Sequence, residues 1–233
     1  MKTAITLYLF LSAFSGYSQK IYTASQIEFI FSSASMSSTA LSSSPVVRFS
    51  GFINYESQLH FNLNKKMGFY TGLGIKNIGI INNFDKGTLA FKQRAYALSM
   101  PLALKLGNVT NQAFVALGAE ANLMFNYKEK FLYSNTKTSR SEWFSNKVNI
   151  FNPAVFLQLK FLKSQVLTFK YYLSDFLNYQ SSGLTLPDGN VVSDYAKSSK
   201  LFYISWGSNF EFKKTKVKIK EKKMIIRYAK LTE

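Results

Sequence analysis

Residues 48–64 read RFSGFINYESQLHFNLN, and apolar and polar side chains alternate along this stretch. The odd positions carry Phe49, Gly51, Ile53, Tyr55, Ser57, Leu59, Phe61 and Leu63, and the even positions carry Arg48, Ser50, Phe52, Asn54, Glu56, Gln58, His60 and Asn62. Successive side chains of a β-strand point to opposite faces, so this segment has one apolar and one polar face. Strands of soluble sheets usually have about 5 to 6 residues. The longer alternation is typical of a barrel that crosses a membrane.

The same two-residue period recurs along the rest of the chain. It predicts eight strands, at residues 25–36, 48–64, 68–82, 90–106, 112–128, 148–162, 165–179 and 200–212. Each is long enough to cross a bilayer, which takes about 9 to 11 residues in a tilted strand. In the fifth strand, Val115, Leu117 and Leu123 are expected to face lipid, with Glu120 and Asn122 opposite them.

The connections between the predicted strands alternate in length. Short ones lie at residues 65–67, 107–111 and 163–164, long ones at 37–47, 129–147 and 180–199, and an intermediate one at 83–89. Outer-membrane barrels have short periplasmic turns and longer external loops. The sequence therefore predicts an all-β fold, an eight-stranded antiparallel up-and-down transmembrane β-barrel over residues 19–212. A soluble β-sandwich is the alternative.

The two ends of the chain differ from the barrel segment. The start, MKTAITLYLFLSAFSGYSQ, has a cation at Lys2, an apolar run over residues 4–14 and small residues up to Ser18. This pattern predicts a cleaved signal peptide at residues 1–18, because the run is too short for a spanning helix of roughly 20 residues. Residues 213–233 are rich in lysine and predict a basic periplasmic tail.

Composition narrows the function classes. The chain has no cysteine, which excludes disulfides, thiolate metal sites and a cysteine nucleophile. Its formal net charge of +17 suits the phosphates of outer-membrane lipid and lipopolysaccharide. Export through a signal peptide argues against nucleic acid as a partner. We expect no cofactor and no metal, and we expect the outer membrane of a Gram-negative bacterium as the location.

Two segments carry a family resemblance. Residues 96–106, YALSMPLALKL, and 114–120, FVALGAE, resemble the Y-L-E-I-P-L-x-L-K-Y strand and the following glycine-containing strand of the PorT-like outer-membrane β-barrel family of Bacteroidota. The resemblance implies an outer-membrane barrel, and the family's namesake takes part in a secretion system that exports proteins across the outer membrane. Ser99 and Met100 stand where the family pattern has Glu and Ile, and no functional residue is carried over.

Ionisable residues on the predicted inner face are candidates for chemistry. His60 is the only histidine, and its parity places it inside the barrel near the periplasmic end, away from lipid esters. The inward acids are Glu28, Glu56, Glu120 and Glu211, and the inward bases are Arg48, Lys76, Lys105, Lys160 and Lys170. An eight-stranded barrel is just wide enough to be filled by side chains. These residues therefore predict a packed polar lumen of compensated charge, without catalytic residues.

The turn at residues 65–67 sets the predicted register of two strands. A three-residue hairpin, with a positive φ angle at Gly68, pairs Asn64 with Gly68 and places His60 opposite Gly72. The same register sets Glu56 directly opposite Lys76. We therefore expect a lumen ion pair with oxygen and nitrogen within roughly 4 Å.

Residues 129–147 combine aromatic and basic side chains in a predicted external loop. We interpret Phe131, Tyr133, Arg140, Trp143 and Phe144 as a candidate interaction surface for sugars, lipid phosphates or a partner protein. The alternative is an upper aromatic girdle and a solvated loop, because Trp and Tyr are enriched at membrane interfaces in any case.

These features favour a non-enzymatic structural or interaction protein of the envelope. One specific version of this hypothesis is an accessory of a secretion or surface-assembly machine. A narrow channel or carrier of small amphipathic ligands is the second hypothesis. A lipid-modifying outer-membrane enzyme is the third.

Overall fold

The computed structural model describes residues 20–37, 43–84, 89–133, 136–178, 184–185, 191–192 and 198–211. The predicted signal peptide and basic tail lie outside these residues. In the described ranges there is no helix with the length and hydropathy needed to cross a membrane.

The described residues form thirteen β-strands. They are β1 (Lys20–Ser37), β2 (Ser43–Val46), β3 (Arg48–Ser50), β4 (Tyr55–Asn62), β5 (Met67–Phe84), β6 (Leu89–Asn108), β7 (Ala113–Tyr133), β8 (Thr136–Trp143), β9 (Ala154–Phe161), β10 (Gln165–Asp175), β11 (Leu184–Thr185), β12 (Val191–Val192) and β13 (Ser198–Glu211).

Eight of these strands close into a ring. The order is β1, β4, β5, β6, β7, β9, β10 and β13, each antiparallel to the next, and pairing of β13 with β1 completes the circle. Neighbours in the ring follow one another along the chain, so the topology is up-and-down. The predicted eight-stranded antiparallel barrel is confirmed. The connections 63–66, 109–112 and 162–164 lie at one end, called the turn end here, and the other four connections of the ring lie at the opposite end, the loop end.

The outer face of the barrel is apolar over the height of a bilayer. On β6 the outward residues are Leu106, Leu104, Leu102, Met100, Leu98 and Tyr96, and the residues between them are all buried. At about 3.3 Å per residue and a tilt of roughly 40°, this run rises roughly 25 Å, the height of the apolar band of outer-membrane barrels. The alternation predicted from sequence is thus realised as a lipid-facing belt.

The second predicted strand, residues 48–64, is interrupted. Pairing stops after Ser50 and resumes at Tyr55, and Ile53 adopts a φ of 60°. Parity still holds on both sides of the break, since Arg48, Glu56, Gln58 and His60 are buried. Phe52 is the exception: it was expected inside, but it is 82% exposed because the bend turns it outward.

Side chains close the barrel wall beside this break. The backbone N–H of Asn77 on β5 donates to Asn54 Oδ1 at 2.8 Å, and its carbonyl accepts from Arg48 Nη1 at 3.1 Å. Arg48 Nη2 also donates to Asn77 Oδ1 at 2.7 Å. These contacts replace ladder bonds that the interrupted strand does not supply, and they satisfy groups that would be costly to bury unpaired.

The predicted register of the first hairpin is wrong by two residues. The connection has four residues, 63–66, and Asn62 rather than Asn64 pairs with Gly68. The side chain of Asn64 explains the difference, because its Oδ1 accepts from the backbone N–H groups of Lys66 at 2.7 Å and Met67 at 2.8 Å. Asn residues commonly fix turns in this way. Gly107, not Gly68, has the positive φ among the described glycines.

The predicted long loop at residues 129–147 is largely strand. β7 continues to Tyr133 and β8 folds back on it, pairing Tyr133 with Thr136 and Asn126 with Trp143. A β-bulge in β7 leaves Phe125 unpaired, since Tyr96 faces Asn126 while Ala97 faces Met124. A bulge adds one residue and so reverses the parity beyond it. Tyr127 is buried for this reason.

Two other predicted strands are shorter than expected. β9 begins at Ala154 rather than at residue 148, and β10 ends at Asp175 rather than at residue 179. Where backbone pairing ends, side chains supply hydrogen bonds instead. Asn149 Nδ2 and Asn152 Nδ2 donate to the Asp175 backbone carbonyl at 2.7 and 3.1 Å. Of the predicted loop 180–199, the described part includes the antiparallel pair β11 and β12.

Candidate functional site

The interior of the barrel has a polar layer at mid-height, and Lys76 lies at its centre. Its Nζ lies 2.9 Å from Glu56 Oε2, 3.2 Å from Glu120 Oε2 and 3.5 Å from Glu28 Oε1. Lys170 Nζ contacts Glu120 Oε2 at 2.6 Å. All five side chains are buried. Three of the four acids and two of the five bases expected inside therefore meet in one cluster, which we call the lumen charge cluster. The other four do not join it: Arg48 contacts Asn77, Lys105 contacts His60, Lys160 contacts Asn209, and Glu211 is only half-buried.

The pair expected from sequence, Glu56 and Lys76, is thus brought within ion-pair distance by a register other than the predicted one. Glu56 faces Gly74 directly, and Lys76 lies one diagonal position away. A Cβ at Gly74 would come within 2.8 Å of the Tyr55 carbonyl oxygen and 3.2 Å of Glu56 Cβ. Glycine at this position leaves room for the Glu56 side chain to lean toward Lys76.

Hydrogen bonds extend this cluster across the barrel. Lys160 Nζ on β9 donates to Asn209 Oδ1 at 2.6 Å, and Asn209 Nδ2 donates to Gln58 Oε1 at 2.7 Å. Gln58 Nε2 in turn donates to Glu56 Oε1 at 2.7 Å. The lumen is therefore bridged from β9 to β4 by direct contacts between side chains.

His60 lies below this network, toward the turn end. Its ring stacks between Tyr22, at 4.7 Å between centroids, and Tyr70, at 4.9 Å. Its Nε2 contacts Gln58 Oε1 at 2.9 Å and its Nδ1 contacts Lys105 Nζ at 3.1 Å. Only 1% of the residue is exposed. Both ring nitrogens are engaged within the lumen, and no lipid ester on the outer face can reach them.

The loop-end half of the interior is largely apolar, which corrects the expectation of a polar lumen throughout. Its fully buried aromatic residues include Phe84, Phe91, Phe176 and Tyr127. Phe91 and Phe131 stack with centroids 4.0 Å apart. Gln93 and Glu129 are buried there as well, and Tyr127 Oη accepts from Gln93 Nε2 at 2.8 Å and donates to Glu129 Oε2 at 3.0 Å. The strands rise beyond the lipid-facing belt here, and the part of the barrel that projects into water packs its inside like the core of a soluble protein.

Several polar atoms lie unpaired where the two halves meet. Ser99 Oγ, both amide atoms of Asn122 and the hydroxyls of Tyr172 and Tyr203 are buried without a hydrogen-bond partner among the described residues. Ser99 and Asn122 face each other across β6 and β7. Buried polar groups of this kind are usually satisfied by internal water.

The candidate interaction surface is only partly assembled. Trp143 and Phe144 are 70% and 57% exposed and adjacent, and Trp143 stacks on Phe125 at 5.9 Å. Arg140 is exposed and lies 4.0 Å from Glu142. Phe131 is buried against Phe91, so it is not part of an exposed surface. The side chain of Tyr133 lies outside the described part of the chain.

A group of four cations lies beside this surface, and sequence reasoning did not place its members together on one face. Beyond the bulge at Phe125, the outward residues of β7 become Lys128 and Lys130, and those of β6 beyond Tyr96 are Arg94 and Lys92. We call Lys92, Arg94, Lys128 and Lys130 the cationic face. The bulge hid it, because unbroken parity placed Lys128 on the opposite side of the wall.

The cationic face repels itself. Lys137 most of all, together with Lys128, Arg94 and Lys92, lowers the pKa of the Lys130 ammonium below its usual value. The described residues contain no group of three or more His, Asp or Glu residues arranged to hold a metal ion. Among the described residues, the cavity that the cationic face lines contains no acid, so the local charge is positive.

No family model and no curated protein matches this chain. Among solved structures, it is similar to Ail, the attachment invasion locus protein of Yersinia pestis, with a TM-score of 0.38, 11% identity and coverage of 82% of this chain and 99% of that one. It is also similar to the outer membrane protein AlkL, with a TM-score of 0.41, 11% identity and coverage of 86% and 94%. For the N-terminal β-barrel domain of Pseudomonas aeruginosa OprF the TM-score is 0.31, the identity 8% and the coverage 82% and 100%. Similarity at this level says nothing about activity.

Proposed function

We propose that this chain is a non-enzymatic outer-membrane β-barrel that works through its outer surface and its loop end, as a structural or interaction protein of the cell envelope. The main observation that supports this proposal is that side chains fill the interior of the barrel. The inward side chains that form the polar network and the apolar half above it, from Gln58 and Lys76 to Phe91, are nearly inaccessible to water.

The location follows from the outer face. A belt of outward apolar residues of roughly bilayer height surrounds a barrel, and barrels of this kind stand in outer membranes. The predicted signal peptide at residues 1–18 supplies the export that this location requires. With the turn end in the periplasm, β8 and the exposed Trp143 and Phe144 lie on the cell surface.

The exposed aromatic pair at the base of the β7–β8 hairpin is the best candidate for contact with a protein partner. The two side chains are adjacent and exposed, and contiguous exposed apolar surface often marks a site of contact with a protein or a membrane. One form of this interaction function is a role as an accessory of a secretion or surface-assembly machine, which the resemblance of residues 96–106 to the PorT-like family implies. Co-purification from native outer membranes with Trp143→Ala and Phe144→Ala variants would test it.

The buried position of His60 argues against a lipid-modifying enzyme. A hydrolase acting on lipid esters needs its histidine at the lipid-facing surface, and here Tyr22 and Tyr70 cover both faces of the ring. A narrow channel is disfavoured because the hydrogen-bonded bridge from Lys160 to Glu56 spans the lumen.

Conductance measurements test this proposal. The purified full chain, inserted into planar bilayers, should show no stable single-channel steps above the bare bilayer, because side chains fill the lumen. A variant with three bridging residues shortened, Lys160→Ala, Asn209→Ala and Gln58→Ala, serves as a comparison for a loosened interior. Regular steps from the unmodified chain would establish the channel hypothesis instead.

A further inference from the structure

The pairing of β6 and β7 sets like charges directly opposite each other on the outer wall. Arg94 faces Lys128 and Lys92 faces Lys130. Like charges at opposed positions destabilise a sheet. None of the four forms an ion pair with an acid of the described chain, so this repulsion is not relieved within those residues.

The cationic face lies at the level where lipid headgroups meet the barrel. Directly below it, on the same two strands, the outward residues are Tyr96 and Phe125, which stack at 6.3 Å. Aromatic rings of this kind mark the boundary between hydrocarbon and headgroups. Below them follow Leu98 and Leu123, which belong to the lipid-facing belt.

The four cations surround a depression rather than a flat surface. A cavity of about 250 Å³ is lined by the cationic face together with Arg48, and its apolar wall includes Phe49 and Ile81. No acid lines it among the described residues. The guanidinium of Arg94 lies 5.6 Å from the Tyr96 ring centre, and its Nε has no hydrogen-bond partner.

We propose that the cationic face binds the phosphate groups of an outer-leaflet glycolipid. Phosphates in the cavity would neutralise the two opposed pairs of like charge, and guanidinium and ammonium groups are the natural partners of phosphate oxygens. The acyl chains of the same molecule would lie along Leu98 and Leu123, directly beneath. A free anionic glycan would use the cations but leave this continuity with the apolar belt unexplained. The inference rests on the proposed outer-membrane location, but not on the absence of conductance or enzymatic activity.

Fluorescence offers a direct test, because the chain has two tryptophans, Trp143 and Trp206, and Trp143 lies beside the site, opposite Asn126. In a Trp206→Phe background, the full chain in detergent micelles is titrated with diphosphoryl lipid A, and the emission of Trp143 is followed. Removing two cations with Lys128→Gln and Lys130→Gln should weaken the apparent affinity by roughly tenfold or more. Added salt should weaken binding to the unmodified face as well.

The matched control removes two exposed cations at the other rim, Lys65→Gln with Lys66→Gln, and should leave the affinity within about twofold. Unchanged migration on unheated gels verifies that each variant is folded. Equal weakening by both pairs, or none by either, would overturn the proposal. So would a sulfated oligosaccharide that binds the face as tightly as lipid A with the same dependence on Lys128 and Lys130. Conductance of the same samples reports separately on the proposed function.

Discussion

At the scale of single residues, Lys76 organises the interior. Three carboxylates each have an oxygen within 3.5 Å of its Nζ, and all three are buried. A charge removed from water requires compensation nearby, and loss of one partner leaves the others uncompensated. The central cation is therefore more important to this cluster than any one of its acids.

The first prediction follows from this asymmetry. Lys76→Met should lower the free energy of unfolding by about 3 to 5 kcal/mol, because Lys170 then remains as the ammonium facing Glu28, Glu56 and Glu120. Glu56→Gln should cost less, since Lys76 keeps two acid partners. Equilibrium unfolding in urea, from lipid vesicles, measures both.

The double variant Glu56→Gln with Lys76→Met provides the internal check. It removes one charge of each sign, so it should be more stable than Lys76→Met alone. A double variant as unstable as the sum of the two single changes would mean that the two side chains do not interact. Lys65→Met, at an exposed turn residue, controls for the substitution itself and should be close to neutral.

At the scale of elements, the outward face of β6 has an apolar section and a charged section. From Leu106 to Tyr96 its outward side chains are apolar, and above Tyr96 they are Arg94 and Lys92. The change from apolar to charged takes place within two residues on the same face. β7 makes the same change at its bulge, where Phe125 is followed by Lys128. The upper edge of the belt is thus defined on both strands at one level.

From the position of this edge we predict that the cost of a charged substitution depends strongly on its depth in the membrane. Leu102 is 63% exposed near the middle of the belt, and Leu102→Arg should destabilise the barrel by about 2 to 4 kcal/mol. The same change at Leu132, which is outward but above the cationic residues, should cost roughly 0 to 1 kcal/mol. Unfolding from vesicles compares the two. Similar costs at both positions would show that the belt has been placed at the wrong height.

At the scale of the whole molecule, the two ends of the barrel differ in construction. The turn end closes with short connections, such as residues 63–66 held by Asn64. The loop end extends β5, β6 and β7 beyond the belt, over an apolar core containing Phe84 and Phe91. A hairpin, β8 against β7, rises from that end. This asymmetry is the reason why the proposed interaction surface is assigned to the loop end.

The orientation of these ends is testable by labelling. A cysteine at Ser141, exposed on β8, should react with a membrane-impermeant maleimide on intact cells, because the hairpin is proposed to lie outside. A cysteine at Lys163, exposed in a short turn at the opposite end, should react only after the cells are broken. The chain has no cysteine of its own to interfere. The reverse pattern would invert the proposed topology and remove the glycolipid site from the outer leaflet.

The sequence by itself determined the fold, because the alternation of apolar and polar residues with a period of two involves residues close together in the chain and recurs in every predicted strand. It assigned Glu56, Gln58, His60 and Lys76 to the inner face, and their burial confirms that parity. It also indicated which connections are short. These features depend on neighbouring residues in the chain, so reading along the chain suffices to find them.

Only the tertiary structure decided where parity changes and which side chains meet across the barrel. The bulge at Phe125 turns Lys128 and Lys130 outward, and no local signal announces it, because the bulge exists only in relation to the pairing of Tyr96 and Ala97 on β6. The hairpin register depended on Asn64 binding two backbone amides. The lumen charge cluster draws on five strands, β1, β4, β5, β7 and β10, and such contacts form only when the ring closes.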